Sequence, residues 1–162
     1  MRRLLSTGDE LYTEDVFWVL FDYEVTRSQR YPAPLTLIHI ETAPSVGDAS
    51  LLRAATSVFN AALNSHLRSA DISSGDGKIY RILLPTTNEE GGRAVCDRLI
   101  SIFHNRFQSR EGETIIFTIN IGMASHPGGS TLLKEDLLAQ AEKALRQAQL
   151  KGSNTYLAYS DL

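Results

Sequence analysis

Apolar positions along the chain alternate between helical and extended spacing. Residues 13 to 30 place Val16, Phe17, Leu20, Phe21, Tyr23 and Val25 near helical spacing, with Glu14 and Asp15 in the first turn, where negative charge suits the helix dipole. A helix is predicted there. Tyr31-Pro32-Ala33-Pro34 stops it, because proline offers no N–H and disfavours helical geometry in its predecessor. Leu35 to Glu41 (LTLIHIE) is a short β-rich run, read as a buried strand inside a sheet. Pro44 to Gly47 reads as a turn. Asp48 then caps a helix to about Leu67, with Leu51, Leu52, Ala55, Val58, Phe59, Ala62, Leu63 and Leu67 on one face.

Asp71 to Leu84 carries Gly75-Asp76-Gly77 between two β-prone arms, the pattern of a tight hairpin, and Pro85 ends its second arm. Asn88 to Phe107 is a third predicted helix, with Ala94, Val95, Leu99, Ile102 and Phe103 inward. Thr114 to Met123 reads as a strand, Lys134 to Leu150 as a fourth helix ended by Gly152, and Thr155 to Tyr159 as a last strand. The order α-β-α-β-β-α-β-α-β predicts an α+β fold. Its centre is a mainly antiparallel five-stranded sheet flanked by helices, in a ferredoxin-like βαββαβ arrangement. With no repeat or linker, residues 1 to 162 read as one domain, and residues 1 to 10 as a flexible lead-in.

Composition narrows the function classes. A net charge of -3 argues against a nucleic-acid partner, since phosphate-neutralising surfaces need an excess of Lys and Arg. The lone cysteine, Cys96, excludes an internal disulfide or a cysteine zinc site, and its apolar helical setting predicts an inert thiol. No apolar run approaches a membrane span, and the N-terminus has no signal-peptide core, so the expectation is a cytoplasmic protein without membrane contact. Gly128-Gly129-Ser130 lacks the strand and lysine context of a phosphate-binding loop. No Ser/His/Asp or Cys/His spacing supports nucleophilic catalysis, and His39, between Ile38 and Ile40, reads as a hydrogen-bonded core or cleft histidine.

Four further segments stand in order. They are Arg68-Ser69-Ala70-Asp71, Ile82-Leu83-Leu84-Pro85, Thr118 to Ala124 (TINIGMA), and Ala141 to Ala148 (AEKALRQA) followed by Gly152-Ser153-Asn154. Together they resemble, from about Leu11 to Leu157, the GGDEF family of diguanylate cyclase domains, which condense two GTP into cyclic di-GMP. The resemblance implies a nucleotide-cyclase palm fold and sets where the family's chemistry should lie. Counted back from Pro85, the signature falls on Asp76-Gly77-Lys78-Ile79-Tyr80. The metal-ligating acidic pair is thus replaced by Lys78 and Ile79, which cannot hold a hard, oxygen-seeking cation. Lys78 is expected outward and Ile79 inward. The family's metal "D-x-D" falls on His39 and Glu41, and imidazole is a poor Mg²⁺ ligand. Thr42 to Asp48 shortens the segment that carries the guanine-contacting Asn. The phosphate-binding Lys and Arg map to Gln149 and Ser153.

The resemblance also implies an inhibitory site for cyclic di-GMP away from the catalytic one. Its Arg-x-x-Asp matches Arg68 and Asp71, the chain's only such motif, and its further arginine matches Arg98. An arginine fork suits guanine O6 and N7, and a carboxylate can accept from guanine N–H groups. All three side chains are expected to be exposed. The expectation is therefore a domain that is not an enzyme and needs no cofactor. It would bind cyclic di-GMP through Arg68, Asp71 and Arg98 and regulate an unidentified protein effector, with a homodimer possible. The rival reading, from another class, is a protein-interaction or dimerisation module that binds no nucleotide. Whether Arg68 and Asp71 are free and face Arg98 across a groove separates the two.

Overall fold

The computed structural model describes residues 11–45 and 50–162. Strand β1 (Leu35–Ser45) is the central element, with β3 (Ile79–Pro85) antiparallel on one side and β5 (Thr114–His126) antiparallel on the other. Beyond β3 lies β2 (Ile72–Gly75), its hairpin partner. Strand β6 (Thr155–Ala158) runs parallel to β5, and a two-residue strand, β4 (Phe107–Gln108), adds antiparallel at the start of β5. The order β2-β3-β1-β5 is the predicted ferredoxin-like arrangement, and its strand pairs are all antiparallel except β5 with β6.

Alternation along β1 divides the core in two. Leu35 and Leu37 face α1 (Glu14–Arg30) and α4 (Lys134–Lys151), packing with Phe17, Phe21, Leu137 and Ala141. Ile38 and Ile40 face α2 (Ser50–Ser65) and α3 (Glu89–Phe103), packing with Phe59, Leu63, Leu99 and Phe103. On that side the Phe59 and Phe103 rings stack at 4.1 Å, and Phe117 closes the cluster edge-on. Gly122 of β5 lets α4 approach directly, since a Cβ there would meet the backbone of Ala141 and Leu145.

Several local expectations are corrected. Pro44 and Ser45 extend β1 instead of turning; β3 pairing ends at Glu41, so the proline's missing N–H falls where β1 pairs with β5 alone. The rest of that turn and the Asp48 cap lie outside the described residues, as does the lead-in at 1 to 10. Helix α3 stops at Phe103, not Phe107, because Phe107 turns back into β4 to pack on Phe103 and Phe117. The last strand ends at Ala158, and Tyr159–Asp161 form a 3-10 turn. Tyr23, Leu52 and Ala94, expected on apolar faces, lie on exposed sides of their helices.

Candidate functional site

The positions of the family's catalytic centre gather at one end of the sheet. The β2–β3 hairpin turns at Asp76–Lys78, with Gly75 opposite Tyr80. Asp76 shapes the turn itself. Its Oδ1 accepts from the backbone N–H groups of Lys78 and Ile79 at 2.9 and 2.8 Å. Burial works to raise this carboxyl's pKa, but those backbone donors outweigh it and hold it below the ordinary range. Gly77 takes φ +98°, a left-handed conformation that glycine adopts readily. Lys78 is exposed as expected, but Ile79, expected inward, is only half-buried, because along β3 the next residue, Tyr80, is the one that turns into the core.

Glu41 pairs across to Ile79 in register, so it stands beside this turn. Its Oε2 is already occupied. Arg146 Nη1 donates to it at 2.8 Å and Gln149 Nε2 at 2.7 Å, both from α4. Burial pushes Glu41 up, but these bonds and the nearby cationic charges of Arg146 and Lys78 win and lower its pKa. His39, one pleat further in, is buried and accepts from Arg81 Nε at 3.2 Å. Desolvation, then the charges of Arg81 and Arg146, lower its pKa to about 4, so it is neutral near pH 7. This donor set does not fit the divalent cation the family's chemistry implies. One carboxylate is bonded to a guanidinium, a lysine takes an acidic position, and an arginine fills the coordination space of the imidazole. Among the described residues, no three His, Cys, Asp or Glu side chains gather as a metal centre.

Sequence reasoning identified Glu41 and Gln149 as family positions but missed Arg146 and Arg81, the cations that neutralise this end of the sheet. Arg146 is three residues before Gln149 on one helix, so i,i+3 spacing was the available signal. Ser153 is exposed, while neighbouring Asn154 is structural: its Oδ1 accepts from the Ile119 N–H at 3.1 Å, tying the loop to β5. Cys96 is fully buried on α3, and burial, with the charge of Asp97 adding to it, raises its thiol pKa well above the usual range.

The second group of residues converges elsewhere. Arg68 and Asp71 lie between α2 and β2, and Arg98 lies on α3. The three line one groove of about 440 Å³ together with Pro34, Thr87 and Gly91. The fold thus brings together all three predicted ligand-binding residues. Two of them are not free. Asp71 is 2% exposed, which corrects the expectation of an exposed carboxylate. It accepts from the Arg68 backbone N–H at 2.8 Å and from the Arg68 guanidinium at 2.9 Å. Arg68 Nη2 also donates to the Pro85 carbonyl at 3.1 Å and to Thr87 Oγ1 at 2.8 Å. These bonds use Nε and Nη2, and Nη1 has no partner among the described residues. The Arg68 side chain stays 58% exposed. Arg98 is exposed and donates through Nη2 to the His66 carbonyl at 3.1 Å. Of the groups that fix the Arg68 fork, Pro85 closes one of the four motif segments, whereas Thr87 carries no motif in the sequence.

Comparison with known proteins places this geometry. The fold resembles the active GGEEF domain of a diguanylate cyclase from Vibrio cholerae, at 17% identity over 91% of this chain and 96% of that one, with a TM-score of 0.74. It resembles the GGDEF domain of DgcB from Caulobacter crescentus in complex with c-di-GMP, at 11% identity over 99% and 98% of the two chains, with a TM-score of 0.78. It also resembles the diguanylate cyclase SiaD of Pseudomonas aeruginosa in complex with its activator SiaC, at 16% identity over 97% of this chain and 62% of that one, with a TM-score of 0.76. No curated protein matches the sequence significantly. No helix among the described residues is long and apolar enough to cross a membrane. The family model for the diguanylate cyclase GGDEF domain matches residues 45–155, which is more than half of the 162-residue sequence, and the chain belongs to that family.

Proposed function

We propose that this GGDEF domain makes no cyclic di-GMP and instead binds it, acting as a receptor that regulates another protein. The observation that carries the reading is the groove in which Arg68, Asp71 and Arg98 meet, while the family's catalytic positions are taken by an internal ion pair. Two-metal phosphoryl transfer needs carboxylates free to hold cations and donors to neutralise developing charge. Here Glu41 is held by Arg146 and Gln149. In the groove, Asp71 acts from below. It fixes the Arg68 fork, and Arg68 Nη1 and the remaining donors of Arg98 are the groups that would meet guanine or phosphate oxygens.

Titration calorimetry with cyclic di-GMP, and GTP as control, tests the reading. Binding is expected. Arg68→Ala and Arg98→Ala should each weaken it about tenfold or more, because a lost arginine contact to a base or phosphate is worth roughly 1–3 kcal/mol. Arg68→Lys should recover little, since lysine lacks the fork. With GTP and Mg²⁺, neither the wild type nor Lys78→Asp with Ile79→Glu should form product, because Arg146 would still hold Glu41. Absence of heat at millimolar ligand sinks the receptor half, and product from the wild type sinks the other. One observation favours the second reading, a protein-interaction module without nucleotide: the Asp71, Pro85 and Thr87 bonds already satisfy most of the Arg68 fork as a structural clamp. A folded protein that binds no cyclic di-GMP would leave that reading in place.

A further inference from the structure

Next to the Arg68 groove, a second hollow of about 490 Å³ opens at the same end of the sheet, lined by Pro34, Asn88, Glu89, Ser125, His126 and Pro127. Pro34 and Asn88 line both, so the two adjoin. Strand register sets their separation. Pro85, whose carbonyl holds Arg68, lies opposite Leu35 on β1, and Leu35 lies opposite His126 on β5. His126 is therefore two strand spacings from Pro85, about 10 Å. Thr36, fully buried, ties the two sides together. Its one hydroxyl proton goes to the Thr87 carbonyl at 2.8 Å, so in its 2.7 Å bond with Ser125 Oγ the serine donates.

The second hollow carries its own donors and acceptor. Asn88 Oδ1 accepts from the Gly91 N–H at 2.9 Å and caps α3, which leaves the Asn88 amide NH2 to donate. His126 Nδ1 accepts from the Gly128 N–H at 2.9 Å, so the neutral ring carries its proton on Nε2. That Nε2 meets only the exposed Thr131 hydroxyl, at 3.2 Å, among the described residues. Glu89 is oriented by Ser160 Oγ, which donates to Oε1 at 2.6 Å, and by Arg93, which donates to Oε2 at 3.3 Å. The Glu89 side chain is still 44% exposed, and each of its oxygens keeps a further lone pair.

We propose that this hollow takes the second guanine of the cyclic di-GMP whose first guanine meets Arg68 and Arg98. Asn88 and His126 donate to its O6 and N7, and Glu89 accepts from its N1–H and N2–H. The inference rests on the receptor reading above and adds three residues to that site. Guanine is the base this set selects. It offers acceptors at O6 and N7 on one side and N–H donors on the other, whereas adenine puts an amino donor where O6 stands and has no proton at N1. Pro34 and Pro127 supply apolar walls for a flat ring. The two bases of a cyclic dinucleotide are joined through one sugar–phosphate ring, so adjoining hollows about 10 Å apart can hold both.

The test is titration calorimetry on the full 162-residue chain with two probes, cyclic di-GMP and cyclic GMP–AMP, which keeps a single guanine. The wild type should bind cyclic GMP–AMP about tenfold or more weakly, because its adenine would meet donors with a donor. Asn88→Ser keeps a side-chain oxygen to cap α3 and removes the amide donor. His126→Asn keeps an oxygen to accept from Gly128 and removes the Nε2 donor. Each should weaken cyclic di-GMP about tenfold, leave cyclic GMP–AMP nearly unchanged and leave the urea midpoint where it was. A wild type that binds the two probes equally overturns the proposal, and that comparison needs no variant. So do variants that bind cyclic di-GMP as the wild type does while Arg68→Ala loses it. In both cases the receptor reading stands. A wild type that gives no heat with cyclic di-GMP removes the receptor reading and this inference together.

Discussion

The buried imidazole of His39 should give the protein a specific loss of stability in mild acid. Its pKa is about 4 in the folded chain against 6.5 for an unburied histidine, because it is desolvated and lies beside Arg81 and Arg146. The folded state therefore binds fewer protons than the unfolded state between those two values. Stability is then complete above about pH 6.5 and falls as the pH drops toward 4, the direction required whenever the unfolded state takes up more protons. A shift of about two and a half units corresponds to roughly 3 kcal/mol at full loss, and to about 2 kcal/mol by pH 5. That is a large share of the roughly 5–15 kcal/mol typical of a folded domain. Urea unfolding at several values between pH 8 and pH 5 measures it. The carboxylates lowered in the fold, such as Glu41 and Asp161, also lose stability in acid, so the comparison must be with a variant. His39→Gln keeps an oxygen to accept from Arg81 Nε and cannot titrate, and its stability should fall about 2 kcal/mol less than the wild type's over the same range. Parallel curves for the two proteins would refute the assignment, as would a wild type more stable at pH 5 than at pH 7.

Two further substitutions probe how the fold holds its sites. Gly122→Ala drives a methyl group into the backbone of α4 at Ala141 and Leu145, where no flexible side chain can yield, and should cost about 3 kcal/mol by denaturant titration. Asp71→Ala removes the buried acceptor of the Arg68 backbone N–H and guanidinium and should cost about 2 kcal/mol, with Asp71→Asn recovering part of it. A melting temperature unchanged in Asp71→Ala would show that the clamp carries no stability.

How much was legible before folding differs between the framework and the site. Period and punctuation located every predicted helix and strand, because the 3.6-residue and two-residue repeats reflect faces that must be buried. The order of helices and strands predicted the ferredoxin-like arrangement, and the register of β1 against β3 brought Glu41 beside the hairpin turn. Boundaries failed where a distant contact outweighed local preference: Phe107 left the α3 pattern for the Phe103–Phe117 cluster, and Pro44 stayed in β1 beyond the end of β3.

Sequence alone also determined which residue types stand at the family's chemical positions, since Lys78, Ile79, His39, Glu41, Gln149, Arg68, Asp71 and Arg98 are matters of identity and spacing. Their partners were decided only in three dimensions. Glu41 and Arg146 are 105 residues apart, and Arg68 and Thr87 are 19 apart, with no period linking either pair. Whether a charge is free or satisfied depends on which groups the packed sheet and helices bring within about 3 Å and how much water they exclude. For the same reason Asp71, polar and expected at the surface, is buried beneath the arginine it orients. Chain order carries the identity of a side chain, and tertiary packing sets its solvent and its neighbours, on which its protonation and binding capacity depend.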